Sequence, residues 1–181
     1  MTPDRGAHFS RCDFEVHTPR DTNWQGARAV ADDDRERYAR EFVSACRMKG
    51  LGAVAITDHH DFVLFPYIKD AAAAEKGVDG EQLADHERLV VFPGLELTLG
   101  VPCQAILILD AGFPIDRLNS VLEILGVDPV DASAEALPPV ARLESIQNFS
   151  DIYDLFDARS WLKGRYIVLP NVTDGGQGLW I

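Results

Sequence analysis

The chain has 181 residues, with 17 Lys and Arg against 29 Asp and Glu, for a formal charge of −12. That length suits one domain with a sizeable core, and 46% hydrophobic with 25% charged residues is globular usage, which excludes a disordered chain. The acidity argues against a basic face that tracks a phosphate backbone, although bound cations can invert the local potential and admit a phosphate substrate.

Cys12, Cys46 and Cys103 are too few, and odd in number, for a disulfide framework, and point to a reducing compartment. The start, MTPDRGAHFSRCD, carries charges and no apolar signal core. The longest apolar stretch, about nine residues around Val101 to Leu109, is too short for a bilayer span. The expectation is a soluble cytoplasmic protein with no membrane partner.

The first predicted strand is Arg11 to His17, where Cys12, Phe14 and Val16 alternate with Asp13, Glu15 and His17. A polar loop follows to Ala31. Asp32-Asp33-Asp34 supplies an N-cap and negative charge for a helix over about 33–49, with Tyr38, Phe42 and Cys46 on one face and Gly50 as its left-handed terminator. Gly52 to Thr57 is too short and too β-branched for a helix and reads as a strand buried on both faces. Pro66 and the alanines at 71–74 predict a second helix, ending near Gly77.

Leu89 to Phe92 and Leu95 to Leu99 read as strands around a turn at Pro93-Gly94, with Gln104 to Leu109 a third apolar run. Pro114 opens a helix carrying Ile115, Leu118, Leu122 and Leu125, closed by Gly126. Val127 to Pro139 is an irregular excursion, and Tyr166 to Leu169 a last strand. Gly175-Gly176-Gln177-Gly178 lacks the Lys and hydroxyl residue of a P-loop and reads as a turn. Strand, helix, strand, helix is the order of an α/β fold with a parallel sheet.

Groups able to bind metal fall where such sheets build their sites: His17, then Asp58 and His59, then Glu96, then Asn171 and Asp174. Glu15 and His17 share a strand face. A carboxylate and an imidazole side by side suit a metal, and Glu96, alone among Leu95, Leu97 and Leu99, suits a ligand better than a solvated acid. A bridging Glu96 can hold two metals about 3.5–4 Å apart, a spacing fit for clamping a phosphoryl group. Asp21, four residues after His17, is within reach of a second metal. Asp58 suits orienting a neighbouring imidazole, and His60 suits a ligand or substrate contact. Cys103 reads as a small core residue.

DFEVHT, ITDHH and PGLELT, in that order, resemble the three leading motifs of the PHP (polymerase and histidinol phosphatase) family over roughly residues 10–110. The details HTPRDTNW, AITDHH and VPCQAILILD look closest to PHP domains at the N-terminus of large ATPases linked to DNA repair or phage defence. The resemblance implies a distorted (β/α)7 TIM-like barrel, here incomplete at its C-terminus, with residues 1–181 a fragment of a longer protein. It implies a site of Mn, Zn or Fe held by Glu15, His17, His59, Glu96 and Asp21, with Asp58 and His60 in catalytic roles. It also implies hydrolysis of a phosphomonoester or phosphodiester, with a nucleotide or nucleic-acid end among the candidate substrates, and a partner ATPase region in the same or another chain.

Departures from that pattern are plain. Glu15 stands where the family has a histidine, Gln104 where another is usual, and Asn171 where many members carry a late His. The alternative reading is therefore a degenerate, non-catalytic module that binds a ligand or regulates the associated ATPase. A small-molecule phosphatase of the histidinol phosphate type is a third.

Overall fold

A computed structural model describes residues 10–171. Its elements, in chain order, are β1 (Arg11–Val16), α1 (Asp32–Met48), β2 (Leu51–Ile56), α2 (Phe65–Ala73), β3 (Val90–Leu99), β4 (Gln104–Leu109), α3 (Leu118–Leu125), β5 (Arg142–Leu143), α4 (Phe149–Asp157) and β6 (Tyr166–Asn171). The sheet has six strands in the order β1-β2-β3-β4-β6, with β5 beside the far end of β3. β1, β2 and β3 run parallel, whereas β3–β4 and β4–β6 are antiparallel.

The expected (β/α)7 barrel is not what these residues form. A parallel barrel needs a helical crossover between successive strands, but only Gly100 to Cys103 separate β3 from β4. A link that short can only return the chain antiparallel. The sheet instead curls as an open half-barrel. Its two edge strands meet at one end through side chains, where Asn171 Nδ2 of β6 donates to Glu15 Oε1 just before the end of β1, at 3.0 Å.

β3 is one ten-residue strand, where a turn at Pro93-Gly94 was the expectation. Its first part pairs with β2 up to Ile56↔Pro93, and its second pairs with β4 from Gly94 onward. The strand thus overruns the end of β2, and the Pro-Gly pair marks a change of partner. Gly94 is required there by packing. A Cβ at this position would lie 2.7 Å from Leu107 O and 2.9 Å from Thr57 Cγ2. Gly94→Ala should cost about 1–3 kcal/mol in urea unfolding, because one contact is backbone and cannot rotate away. A change below the error of the measurement would contradict this packing.

The helices cover one face. Val43, Cys46, Phe65, Ile68, Leu122 and Phe156 join Val54, Leu95, Leu97 and Leu107 of the sheet in the main core. A smaller cluster on other strand positions holds Ala55, Ile106 and Ile108, with Phe14, Phe92 and Leu169 partly buried against it. Cys103 is buried, and all three cysteines are free thiols.

α1 starts at Asp32, and its N-cap, Ala31, makes no side-chain bond. The three aspartates occupy the first turn and act on the helix dipole instead of capping. Gly50 (φ 69°) and Gly126 (φ 72°) terminate α1 and α3 in the left-handed conformation as the sequence predicts. Ile115–Arg117 form a 3-10 turn before α3. The sequence reading passed over β5 and α4. Two residues carry no period, but α4 has a visible start signal in Asn148 and Asp151, which form a reciprocal capping box. None of the helices is long and apolar enough to cross a membrane among the described residues.

Candidate metal centre

The end of β1, the end of β2 and the overrunning half of β3 meet at one edge of the sheet. Thr57 ties the first two together: its N–H donates to Val16 O at 2.9 Å, and its Oγ1 accepts from Val16 N at 3.0 Å. Glu96 N–H donates to Thr57 O at 3.1 Å. This locks the third strand onto the end of the second. His17, His59 and Glu96 follow directly from these anchors, so backbone hydrogen bonds fix their positions.

Their ligand atoms lie within 4.8 Å of one another, a set able to hold a metal ion. Glu96 Oε2 is 2.9 Å from His17 Nε2 and 3.5 Å from His59 Nε2. His59 Nδ1 lies 3.1 Å from Glu96 O, which as an N–H donor there leaves Nε2 free to ligate. Asp21 stands at the other side of His17, with Oδ2 2.9 Å from Nδ1 and 3.5 Å from His59 Nε2. The His17 contact is close, yet its N–H does not point at the oxygen, and the buried Nδ1 has no aligned hydrogen bond. Two imidazoles and a carboxylate whose ligand atoms converge on one point are what a cation would organise. The donor set therefore fits a divalent ion, with His17, His59 and Glu96 as its ligands and Asp21 as the carboxylate behind His17.

The electrostatics agree. Burial pulls the His17 pKa down, but its bond to Glu96 and the Asp21, Glu96 and Asp58 charges outweigh this and raise it. Burial dominates at His59 and lowers its pKa despite Glu96. Burial would raise Glu96, yet His17, His59 and Asn171 together hold it below the usual carboxylate range. Glu96 is thus held as a buried anion by the groups around it.

Other predicted residues sit elsewhere. Glu15 is separated from the cluster by Asn171, whose amide Nδ2 donates to Glu15 Oε1 and Glu96 Oε1, each at 3.0 Å. The structure does not bring Asp58 or His60 to the cleft, as the sequence reading expected of catalytic groups. Asp58 is 1% exposed and accepts from Thr18 N at 2.8 Å and Thr18 Oγ1 at 2.7 Å, so it holds the turn after His17 rather than an imidazole. His60 is buried with Nε2 3.1 Å from Pro139 O, against the irregular excursion. Asp174 and the glycines at 175–178 lie outside the described residues.

Asp58 predicts a pH effect. Complete burial, aided by Asp61, pushes its pKa up to about 7 against the pull of the Thr18 bonds and His17. The folded state therefore holds this proton where the unfolded chain has released it, and the contribution of Asp58 falls as pH rises from about 4 to about 7. The stability of metal-free protein relative to Asp58→Asn should drop by a few kcal/mol across that window. A pH-independent difference between the two would contradict it.

Beside the cluster opens a cleft of about 620 Å³. His17, Asp21, His59 and Glu96 line it together with Asn23, Trp24, Gln25 and Gln104, and no Lys or Arg among the described residues does. Sequence reasoning missed Trp24 and Gln104 as cleft residues. Trp24 packs edge-on against Tyr38, with ring centres 6.1 Å apart, so its position is set by α1.

No protein-family model and no curated protein sequence matches the chain. Among solved structures, the chain is similar to PsfC from Pseudomonas syringae PB-5123, at 15% identity and a TM-score of 0.39. That match covers 87% of this chain, which spans about half, 52%, of PsfC.

Proposed function

We propose that the protein is a metal-dependent hydrolase of phosphoesters, working in the cleft beside His17, His59 and Glu96. One observation carries the reading: two imidazoles and one buried carboxylate converge at the edge of an open cleft. Two His and one carboxylate, with coordination positions left over, form the donor set of hydrolytic zinc sites and of open iron sites, and manganese tolerates it equally. The ordered DFEVHT, ITDHH and PGLELT segments support the same reading through their resemblance to PHP phosphoesterases. A bound divalent ion supplies Lewis acidity toward a phosphoryl oxygen. The chain's own residues do the rest: Thr57 and Asp58 hold the ligand-bearing turns in place, Asp21 faces the outer nitrogen of His17, and Trp24 with the cleft amides shapes the space for the substrate.

The non-catalytic alternative draws on a specific feature, the absence of any cationic side chain from the cleft lining among the described residues. Hydrolysis of p-nitrophenyl phosphate and bis(p-nitrophenyl) phosphate, with Mn, Zn or Fe and after chelation, separates the two. Turnover that needs metal and disappears in His59→Ala supports the hydrolase. Metal uptake without turnover of either ester supports the binding module.

A further inference from the structure

We infer that the site holds a single cation, and that the side-chain amide of Asn171 occupies the place a second cation would take. This rests on the metal-binding reading above. The two oxygens of Glu96 are divided between two tasks. Oε2 faces His17 Nε2 and His59 Nε2, at 2.9 and 3.5 Å. Oε1 faces away from them and accepts from Asn171 Nδ2 at 3.0 Å. The same Nδ2 reaches Glu15 Oε1 at 3.0 Å. Two carboxylate oxygens on one side-chain nitrogen fix the amide's orientation, since only its amino end can donate to both.

A carboxylate that bridges two metals with one oxygen on each would need Oε1 as well as Oε2. Here the second oxygen is engaged by a neutral donor that also satisfies the neighbouring carboxylate. Asn171 is 3% exposed and sits in β6 opposite Gln104 of β4, so it is held by the sheet and cannot swing out of the way cheaply. Its N–H groups do for Glu15 and Glu96 what a cation would, without a formal charge. Glu15 thus belongs to the site as Asn171's acceptor, and not as a ligand. An Asn171→Asp change reverses the arrangement: it replaces the donor with a third carboxylate, between two that already converge, and creates a cation position beside the first.

The test is manganese binding by equilibrium dialysis, with EPR of the bound ion, on the parent, Asn171→Asp, and Asn171→Asp combined with Glu15→Gln. The expected result is about one Mn per chain with an isolated-ion spectrum for the parent, a second Mn with spin coupling for Asn171→Asp, and its loss again in the double variant. A parent that binds two coupled ions overturns the inference and leaves the metal-binding reading standing. So does an Asn171→Asp protein that melts cooperatively yet gains no ion. A parent that binds none overturns the underlying reading itself. The parent's stoichiometry and spectrum decide the matter even where Asn171→Asp does not fold.

Discussion

Glu96→Gln should lower metal affinity by at least about 100-fold, and any phosphoesterase activity with it, while the metal-free fold survives. Glu96 meets both imidazoles at Nε2, whereas Asp21 meets His17 at Nδ1, and burial makes the Glu96 charge costly unless positive charge answers it. Glutamine fits the same space. Its oxygen can still accept from Asn171, and its amino group can donate toward the unprotonated ring nitrogens of His17 and His59. What it cannot do is present an anion to a metal. Calorimetric titration with Mn or Zn and a thermal melt of the chelated protein check both halves. If the variant binds metal like the parent, the centre is misplaced. Glu15→His should leave the first ion's affinity within a few-fold, because Glu15 faces Asn171 and not the imidazoles.

The largest stability effect is expected at a buried ion pair close to the site. Arg20 and Asp61 are each 3% exposed, and Arg20 Nε and Nη2 lie 2.9 and 2.7 Å from Asp61 Oδ2. The remaining guanidinium N–H groups donate to Asp131 O, Ala132 O and Ala134 O at 3.1, 3.3 and 3.1 Å. Asp61 Oδ1 accepts from Val63 N at 3.0 Å. This one side chain therefore pins the excursion after α3 to the turns that carry His17 and His59. Arg20→Ala leaves the buried Asp61 carboxylate without its counter-charge and strips a donor from each of three carbonyls, and should cost about 3–5 kcal/mol. Asp61→Ala should cost a comparable amount, and the double variant clearly less than the sum, because both remove the same interaction. Urea unfolding of the four proteins reads this directly. Strict additivity, or a loss below about 1 kcal/mol for Arg20→Ala, would contradict the structural role.

Much of the local structure is legible in the residues. The alternation in Arg11 to His17, the 3.6-residue spacing of Tyr38, Phe42 and Cys46, and the glycines at 50 and 126 all act locally, so the elements they predict are present. The topology depends on partners that local pattern does not name. Pro93-Gly94 has the composition of a turn, but a strand that changes neighbours there also tolerates a missing N–H and needs a missing Cβ. The antiparallel return of β4 was readable from loop length alone, since the residues between Leu99 and Gln104 cannot hold a crossover helix.

The same division runs through the site. His17, His59 and Glu96 stand out by chemical type and order, and backbone bonds bring them together. The roles of Thr18 with Asp58, Arg20 with Asp61, and Asn171 with Glu15 rest on pairs 40, 41 and 156 positions apart. Asn171 is the clearest case. By residue type it reads as a lost ligand, and only its two carboxylate partners show it as a donor that neutral chemistry places where charge would otherwise be needed.

The most direct test is elemental analysis of protein purified without chelator, repeated after dialysis against Mn, Zn or Fe, with His17→Ala and His59→Ala alongside. A stoichiometric transition metal in the parent, absent from both folded variants, is the predicted result. A parent that carries no metal and takes none up, or variants that retain it in full, would contradict a centre built on His17, His59 and Glu96.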